Sequence, residues 1–212
     1  MDANRVKRNQ MLAQRVIKGL ESRNMEGYYA ESKEEALAKA LELITEGSSV
    51  GWGGSMSIEE IGLKDAVCTG NYTVYNRDVC KTPEEKRQTE LSIIGSDYFL
   101  SSSNAITEDG VLVNIDGAAN RVAAISWGPK NVLMIIGMNK IVKSVEDAVS
   151  RARNEAAPIN AQRFPVDTPC KKNGACSDCK SPDSVCCQFL ITRFSKIPKR
   201  IKVILVNEDL GF

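Results

Sequence analysis

The sequence predicts an α/β fold, a mostly parallel sheet flanked by helices, and three observations carry that prediction. Strand-like and helix-like patterns alternate almost without interruption along the 212 residues, the order that builds a sheet covered on both faces. The segments 111–115 and 132–136, VLVNI and VLMII, are nearly continuous apolar runs, as strands buried on both sides are. Gly, Ser, Asn, Asp and Lys collect directly after the strands, where open sheets of this class bind ligands. The expected organisation is one domain, 1–212, with an N-terminal helical segment over 1–46 and a cysteine-rich segment over 168–187.

Residues 4–25 place Val6, Leu12, Ala13, Val16, Ile17 and Leu20 near one face at helical spacing, which predicts an amphipathic helix. Gly27, Tyr28 and Tyr29 read as a short connection. Ser32 and Glu35 form a capping box for a second helix, whose stripe is Leu37, Ala40, Leu41 and Ile44 and which Gly47 ends. A strand over 48–52 runs into the glycine loop 51–57, GWGGSMS, and Ser57 with Glu60 resembles the next cap. Such a loop lets backbone N–H groups approach an anion, but it lacks a P-loop ending and a third fingerprint glycine. It reads equally as a tight turn.

A strand over 72–75 leads to Asn76, Arg77 and Asp78, and Thr82, Pro83 and Glu85 then start a helix. Another strand, 97–100, enters the loop 101–110. A turn at 108–110, the strand 111–115, a turn at Asp116-Gly117, a short helix to Trp127 and the strand 132–136 follow. Ser144 and Asp147 cap a helix that ends before Pro158. Two last strands, 188–193 and 201–206, are joined by a basic turn. If the main strands are parallel neighbours, the loops 51–57, 76–78, 101–110 and 137–140 share one rim.

Charges nearly cancel, 28 basic against 27 acidic, so no basic field calls for nucleic acid. No apolar run suits a secretory leader or a bilayer span, and the expected setting is cytoplasmic. The chain has no histidine, which removes Ser-His-Asp triads, Cys-His pairs and imidazole-bound zinc. Any acid or base is Asp, Glu, Lys, Tyr or Cys.

Five of the seven cysteines fall within 170–187. Thiolates from Cys170, Cys176, Cys179 and Cys186, with Cys187 as the alternative fourth ligand, could close around zinc or hold an iron–sulfur cluster. The spacing matches neither ferredoxin pattern, and redox-active disulfides or inert thiols are the competing readings.

Six ordered blocks, VGWGGSMS at 50–57, NAITEDG at 104–110, NIDG at 114–117, NRVAA at 120–124, GMNK at 137–140 and NEDLGF at 207–212, together resemble the lactate-utilisation domain family, LUD. The resemblance covers nearly the whole chain. It implies a NagB/RpiA/CoA-transferase-like fold, that of glucosamine-phosphate deaminase, ribose-phosphate isomerase and CoA transferases. It also implies a link to oxidation of L-lactate or a related hydroxy acid alongside iron–sulfur partner proteins. The alternatives are a CoA-ester or sugar-phosphate transferase or isomerase, and a non-catalytic metabolite sensor or assembly subunit.

The candidate site for a small anionic metabolite takes Gly51, Gly53, Gly54 and Ser55 from the first loop. Asn104, Thr107, Asp116, Asn120, Arg121 and Lys140 come from the later ones. Glu108 is the candidate catalytic carboxylate, as base or hydroxyl holder, or else it organises its turn. Asp116 caps a helix or contacts ligand. Arg121 pairs bidentately with an anion or holds the loops together. Lys140 reads first as a solvated surface lysine and second as a phosphate binder.

Overall fold

The computed structural model describes residues 2–212. In chain order the elements are α1 (Ala3–Ser22), β1 (Glu26–Ala30), α2 (Lys33–Leu43), β2 (Ser49–Trp52), α3 (Met56–Glu60), α4 (Leu63–Thr69), β3 (Thr73–Tyr75), α5 (Pro83–Ile94), β4 (Tyr98–Ser101), β5 (Ala105–Thr107), β6 (Leu112–Asp116), α6 (Asn120–Ser126) and β7 (Asn131–Gly137). After them come β8 (Ile141–Val142), α7 (Val145–Arg151), α8 (Ala157–Ala161), α9 (Pro169–Asn173), β9 (Gln188–Thr192) and β10 (Ile201–Val206).

Six strands form one parallel sheet in the order β1-β10-β7-β4-β2-β3. Alternate side chains of β7 enter different cores, as the two-residue strand period requires. Val132, Met134 and Ile136 pack with Ala13, Val16 and Leu20 of α1 and with Ala124 and Ile125 of α6. Leu133 and Ile135 pack with Ala36 and Ala40 of α2, Ile58 of α3 and Leu63 and Val67 of α4. Met134 and Ile135 are both fully buried, each contributing about 1.5–3 kcal/mol of apolar burial. Helices therefore cover both faces of this sheet.

Two expectations change here. Gly27, Tyr28 and Tyr29 are not a connection: they lie in the edge strand β1, which pairs in register with Val203, Ile204 and Leu205 of β10. Nor does the run at 111–115 join the parallel sheet. It falls largely in β6, in a second sheet ordered β8-β5-β6-β9, where it is antiparallel to both β5 and β9. Hydrogen bonding with β9, far along the chain, decides that placement, and the apolar pattern of β6 is the same in either sheet.

Local capping chemistry follows the expected residues. Thr82 and Glu85 form a reciprocal capping box on α5, and Ser144 and Asp147 do so on α7. The latter helix ends at Arg151, before Pro158 as expected, but helical backbone continues beyond it. A π-turn at Ala152–Ala156 is followed by α8, with Pro158 in its first turn, where the missing N–H costs no intrahelical bond. The cap of α3 also differs: the helix begins at Met56, so Ser55 rather than Ser57 occupies the N-cap, without a side-chain cap bond.

Candidate functional site

β2, β3, β4 and β7 are parallel, so the loops after them rise at one rim, as the sheet topology requires. Opposite the rim stand the end of β6, the start of α6, the residues after α8 and residues 182–185 of the cysteine-rich segment. Between them lies a cleft of about 750 Å³. Its basic lining residues are Lys64, Arg77, Lys86, Arg121, Lys140 and Arg163, against the acidic Asp78, Glu90, Asp116 and Asp183. The balance favours an anion.

Lys140 is the group that departs furthest from its sequence reading. It follows β7 directly and is buried, only 2% exposed, not solvated. Its Nζ donates to Ser57 Oγ at 3.0 Å and to Ser102 Oγ at 3.1 Å. Ser57, within the first turn of α3 rather than at its cap, thus serves as an acceptor for a buried amine. Among the described residues no carboxylate reaches ion-pair distance of Lys140. Burial, then the charges of Arg151 and Arg121, push its pKa down to about 7, against a small upward pull from Glu60. This is a buried amine poised between its charged and neutral forms.

Arg121 lies beside it and is bound differently. Nη1 donates to Asn114 Oδ1 at 2.8 Å and to the Ser102 carbonyl at 3.3 Å, and Nη2 donates to Asn104 Oδ1 at 2.9 Å and to the Ile115 carbonyl. Those four bonds use every terminal N–H of the guanidinium. Arg121 holds the rim of the main sheet to β6, and its charge enters the cleft without a free donor pair.

Asp116 realises its capping role. Oδ1 accepts from the N–H groups of Ala118 and Ala119, and Oδ2 accepts from those of Arg121 and Val122 at 3.1 and 3.2 Å. It also lines the cleft. Asn104 and Asn120 line it too, and Asn120 Nδ2 donates to Glu90 Oε1 at 2.8 Å.

Ser55 and Arg77 also line the cleft, and Ser55 Oγ and Arg77 Nε are buried with no hydrogen-bond partner in the protein, Arg77 Nε lying 3.8 Å from Asp78 Oδ1. Buried polar atoms are normally satisfied, so these two are available to a ligand. Gly54, before Ser55, has open space where a Cβ would stand.

The other candidate residues stand elsewhere. Glu108 is outside the cleft, its carboxylate 3.0 Å from Arg15 on α1. Thr107 Oγ1 donates to Asp109 Oδ1 and accepts from the Val111 N–H, closing the turn. That turn rests on α1 so closely that a Cβ on Gly19 would stand 2.3 Å from the Asp109 carbonyl carbon. Gly51 is packed against Ile93 of α5. Gly53 faces a neighbouring apolar hollow of about 370 Å³ that shares Arg77 and Arg121 with the cleft.

Sequence reading missed Arg77, Ser57 and Ser102. Arg77 and Ser57 belong to loops already marked as rim loops, so strand-end position was the available signal. Ser102 had the same signal, in a loop where only its neighbours were chosen. Arg163 had none, because the segment after α8 reaches the cleft through tertiary packing alone.

In the cysteine-rich segment, Cys170, Cys176, Cys179 and Cys186 are half-buried and Cys187 is exposed. Cys186 packs against the core of the second sheet. Burial pushes its thiol pKa up, a hydrogen bond with Ser184 opposes this, and the nearby Cys176, Cys179 and Cys170 add to the rise. Arg153 Nη2 lies 4.0 Å from Cys176 Sγ. Among the described residues no three Cys, Asp and Glu side chains stand where they could hold one metal ion. Among the described residues, too, no helix is long and apolar enough to cross a membrane.

A family model described as the LUD domain matches residues 13–206. The crystal structure of a DUF162 family protein from Deinococcus radiodurans is similar over 93% of this chain and 98% of that chain, with TM-score 0.55 and 13% identity. Partial likenesses reach ribose 5-phosphate isomerase A from Neisseria gonorrhoeae, 13% identical over 53% of this chain and 54% of that one with TM-score 0.36. Another is eIF2B beta from Chaetomium thermophilum, 16% identical over 55% and 44% with TM-score 0.39. No curated protein matches the chain.

Proposed function

We propose, from the premise that the chain belongs to the LUD domain family, that this lactate-utilisation-type protein binds L-lactate or a related small hydroxy acid in the rim cleft. In this reading it takes part in oxidation of that acid in the cytoplasm, together with iron–sulfur partner proteins. One observation supports the reading above all: a buried lysine without a carboxylate partner lines the same cleft as Ser55 and Arg77, each of which has an unsatisfied polar atom. A substrate carboxylate would neutralise Lys140, while Ser55 Oγ and Arg77 Nε would hold its oxygens. Arg121 and Asp116 act as positioning residues that keep Asn104 and the start of α6 at the rim.

Converting a hydroxy acid to a keto acid removes two electrons and two protons. Lys140 stays protonated while it holds the carboxylate, so both protons leave to solvent or with the electrons to their acceptor. Side chains of this cleft carry no electron acceptor, so the electrons pass to a partner, and iron–sulfur proteins are the proposed class.

The cleft volume favours a second reading. About 750 Å³ is in the range that holds drug-sized ligands, more than a three-carbon acid fills, and it suits a CoA ester or sugar phosphate handled by a transferase or isomerase. A sensor or assembly subunit would use the same cleft without turnover.

Thermal unfolding with L-lactate, pyruvate, sugar phosphates and CoA separates these readings, since a ligand of the folded state alone raises the midpoint. The expected result is a rise with hydroxy acids that Lys140→Met abolishes. A rise only with phosphate esters selects the second reading. If none shifts the midpoint, or if Lys140→Met leaves the shift intact, the anion site is refuted. Turnover with an artificial electron acceptor then distinguishes enzyme from sensor.

A further inference from the structure

The apolar hollow beside the cleft, about 370 Å³, lies between α5 and α6, and its volume falls in the range of ligand pockets. Ile93 and Phe99 in its lining are buried, whereas Leu91 and Trp127 are 48% and 76% exposed. The first pair belongs to a closed floor and the second to an open mouth. A Cβ on Gly53 would stand 3.0 Å from Arg121 Cγ and 3.1 Å from Phe99 Cζ, so the floor closes around a residue with no side chain. Single exposed apolar residues are ordinary. A concave apolar set with an open mouth is a place for a ligand group.

Polar groups around the hollow are bonded within the protein. Trp52 Nε1 donates to Asp78 Oδ2 at 2.9 Å, Ser126 Oγ to the Val122 carbonyl at 2.7 Å and Asn120 Nδ2 to Glu90 Oε1 at 2.8 Å. A polar tail placed here would exchange water for side chains already satisfied, whereas a hydrocarbon or aryl group gains burial. The neighbouring cleft decides what such a group is attached to. Arg77, Glu90, Asn120 and Arg121 line both concavities, so cleft and hollow meet at these side chains. Arg77 Nη1 and Asn120 Nδ2 both donate to Glu90 Oε1, which ties three of them into one polar bar, and Arg77 Nε is a buried donor without a hydrogen-bond partner. The cleft contributes Lys140 on one side of the bar, and the hollow contributes hydrocarbon on the other. A ligand that uses both has an anionic head and an apolar tail, and lactate offers the second only a methyl group.

We propose that the hollow is the side-chain subsite of this pocket, and that the ligand is an α-hydroxy acid bearing an aryl or branched alkyl group. Its carboxylate sits at Lys140, and its tail crosses the Arg77–Glu90–Asn120 bar into the hollow. This assignment rests on the anion reading of the cleft given above, and it narrows the substrate class within that reading. L-lactate occupies the head position alone.

The test titrates the full chain with L-lactate, phenyllactate and leucic acid, read by calorimetry and by tryptophan emission. The two longer acids are expected to bind about tenfold more tightly than lactate, the usual discrimination by an apolar pocket. They are also expected to shift the emission of Trp127 at the mouth, which lactate leaves unchanged. Ala123→Phe fills the hollow from an exposed position of α6, and Leu91→Ser removes part of its wall; each is expected to abolish the preference for the longer acids. Equal affinities in the wild-type chain, or a preference that survives Ala123→Phe, overturns the proposal. Lys140→Met separates it from the reading on which it rests. Loss of all three acids in that variant supports a head group at Lys140. Phenyllactate binding unchanged in Lys140→Met refutes the anion site and with it the spanning ligand, whereas lactate binding that depends on Lys140 but shows no preference for the longer acids refutes the hollow alone.

Discussion

Replacing Lys140 with Met removes a buried charge while keeping most of the side-chain volume, and its effect on stability changes with pH. The folded pKa of about 7 lies below the ordinary lysine value of 10.5. The folded state therefore binds fewer protons than the unfolded state between those two values, and native stability rises with pH across that window. Below pH 7 the burial penalty is fully present, roughly 5 kcal/mol at about 1.36 kcal/mol per pH unit. By pH 9 about 2 kcal/mol of it remains. The substitution also strands Ser57 Oγ, at a cost of about 1–3 kcal/mol, whereas Ser102 Oγ keeps its bond to the Ser103 carbonyl. Lys140→Met is thus expected to stabilise the protein by about 3 kcal/mol at pH 6 and to be near neutral at pH 9. Urea unfolding at both pH values, in buffers free of carboxylate and phosphate, reads the difference directly. An equal offset at the two pH values would mean that Lys140 does not titrate between them, and the reasoning would be wrong.

The same linkage makes anion affinity fall as pH rises above about 7, by up to about tenfold per unit, because the free protein loses the charge on Lys140; calorimetric titration across pH 6–9 checks this, and a flat profile contradicts it. Arg121→Leu is expected to destabilise by about 3–5 kcal/mol, since it removes a buried cation with four bonds across the two sheets and leaves Asn114 Oδ1 without its donor, whereas Asn104 Oδ1 keeps the Ile115 N–H and the Ser102 carbonyl keeps Ser101 Oγ. A fully stable variant that merely fails to bind ligand would show that Arg121 is a ligand contact. Glu108→Gln is expected to leave ligand shifts unchanged and to cost no more than about 1 kcal/mol, its pair with Arg15 lying at the surface; a lost ligand response returns Glu108 to the site. Gly19→Ala is expected to cost about 3 kcal/mol or more by chemical denaturation, because the added Cβ meets the backbone of Asp109, and a neutral result would disprove that close approach.

Local chemistry was legible in the sequence and long-range pairing was not. Thr82 with Glu85 and Ser144 with Asp147 cap their helices through bonds spanning three residues, so the pattern and the structure are the same information. The rim loops were legible for a related reason: loops after parallel neighbours must rise at one end. β1 was hidden because its pairing partner, Ile201–Val206, comes from the other end of the chain, and Gly-Tyr-Tyr alone reads as a connection. Burial of Lys140 was hidden likewise. It requires Ser57 and Ser102 to meet over the end of β7, and nothing in the tetrapeptide 137–140 announces that meeting.

Arg121 and Lys140 show why a basic residue in a cleft is not by itself an anion reader. Both are buried cations at one rim, and charge or sequence motif alone favours the arginine, with its bidentate geometry. Hydrogen-bond accounting reverses the order. Arg121 has its terminal donors committed to carbonyl and amide oxygens, so an incoming carboxylate would have to displace bonds that join the two sheets. Lys140 is held by two hydroxyls, groups that rotate and can accept from other donors, and it lacks a compensating carboxylate. An anion therefore gains more at Lys140, and disrupts less of the fold there, than at Arg121. The arginine that most resembles a binding residue in the sequence keeps the rim assembled, and the lysine read as a surface residue is the charge that the cleft leaves for its ligand.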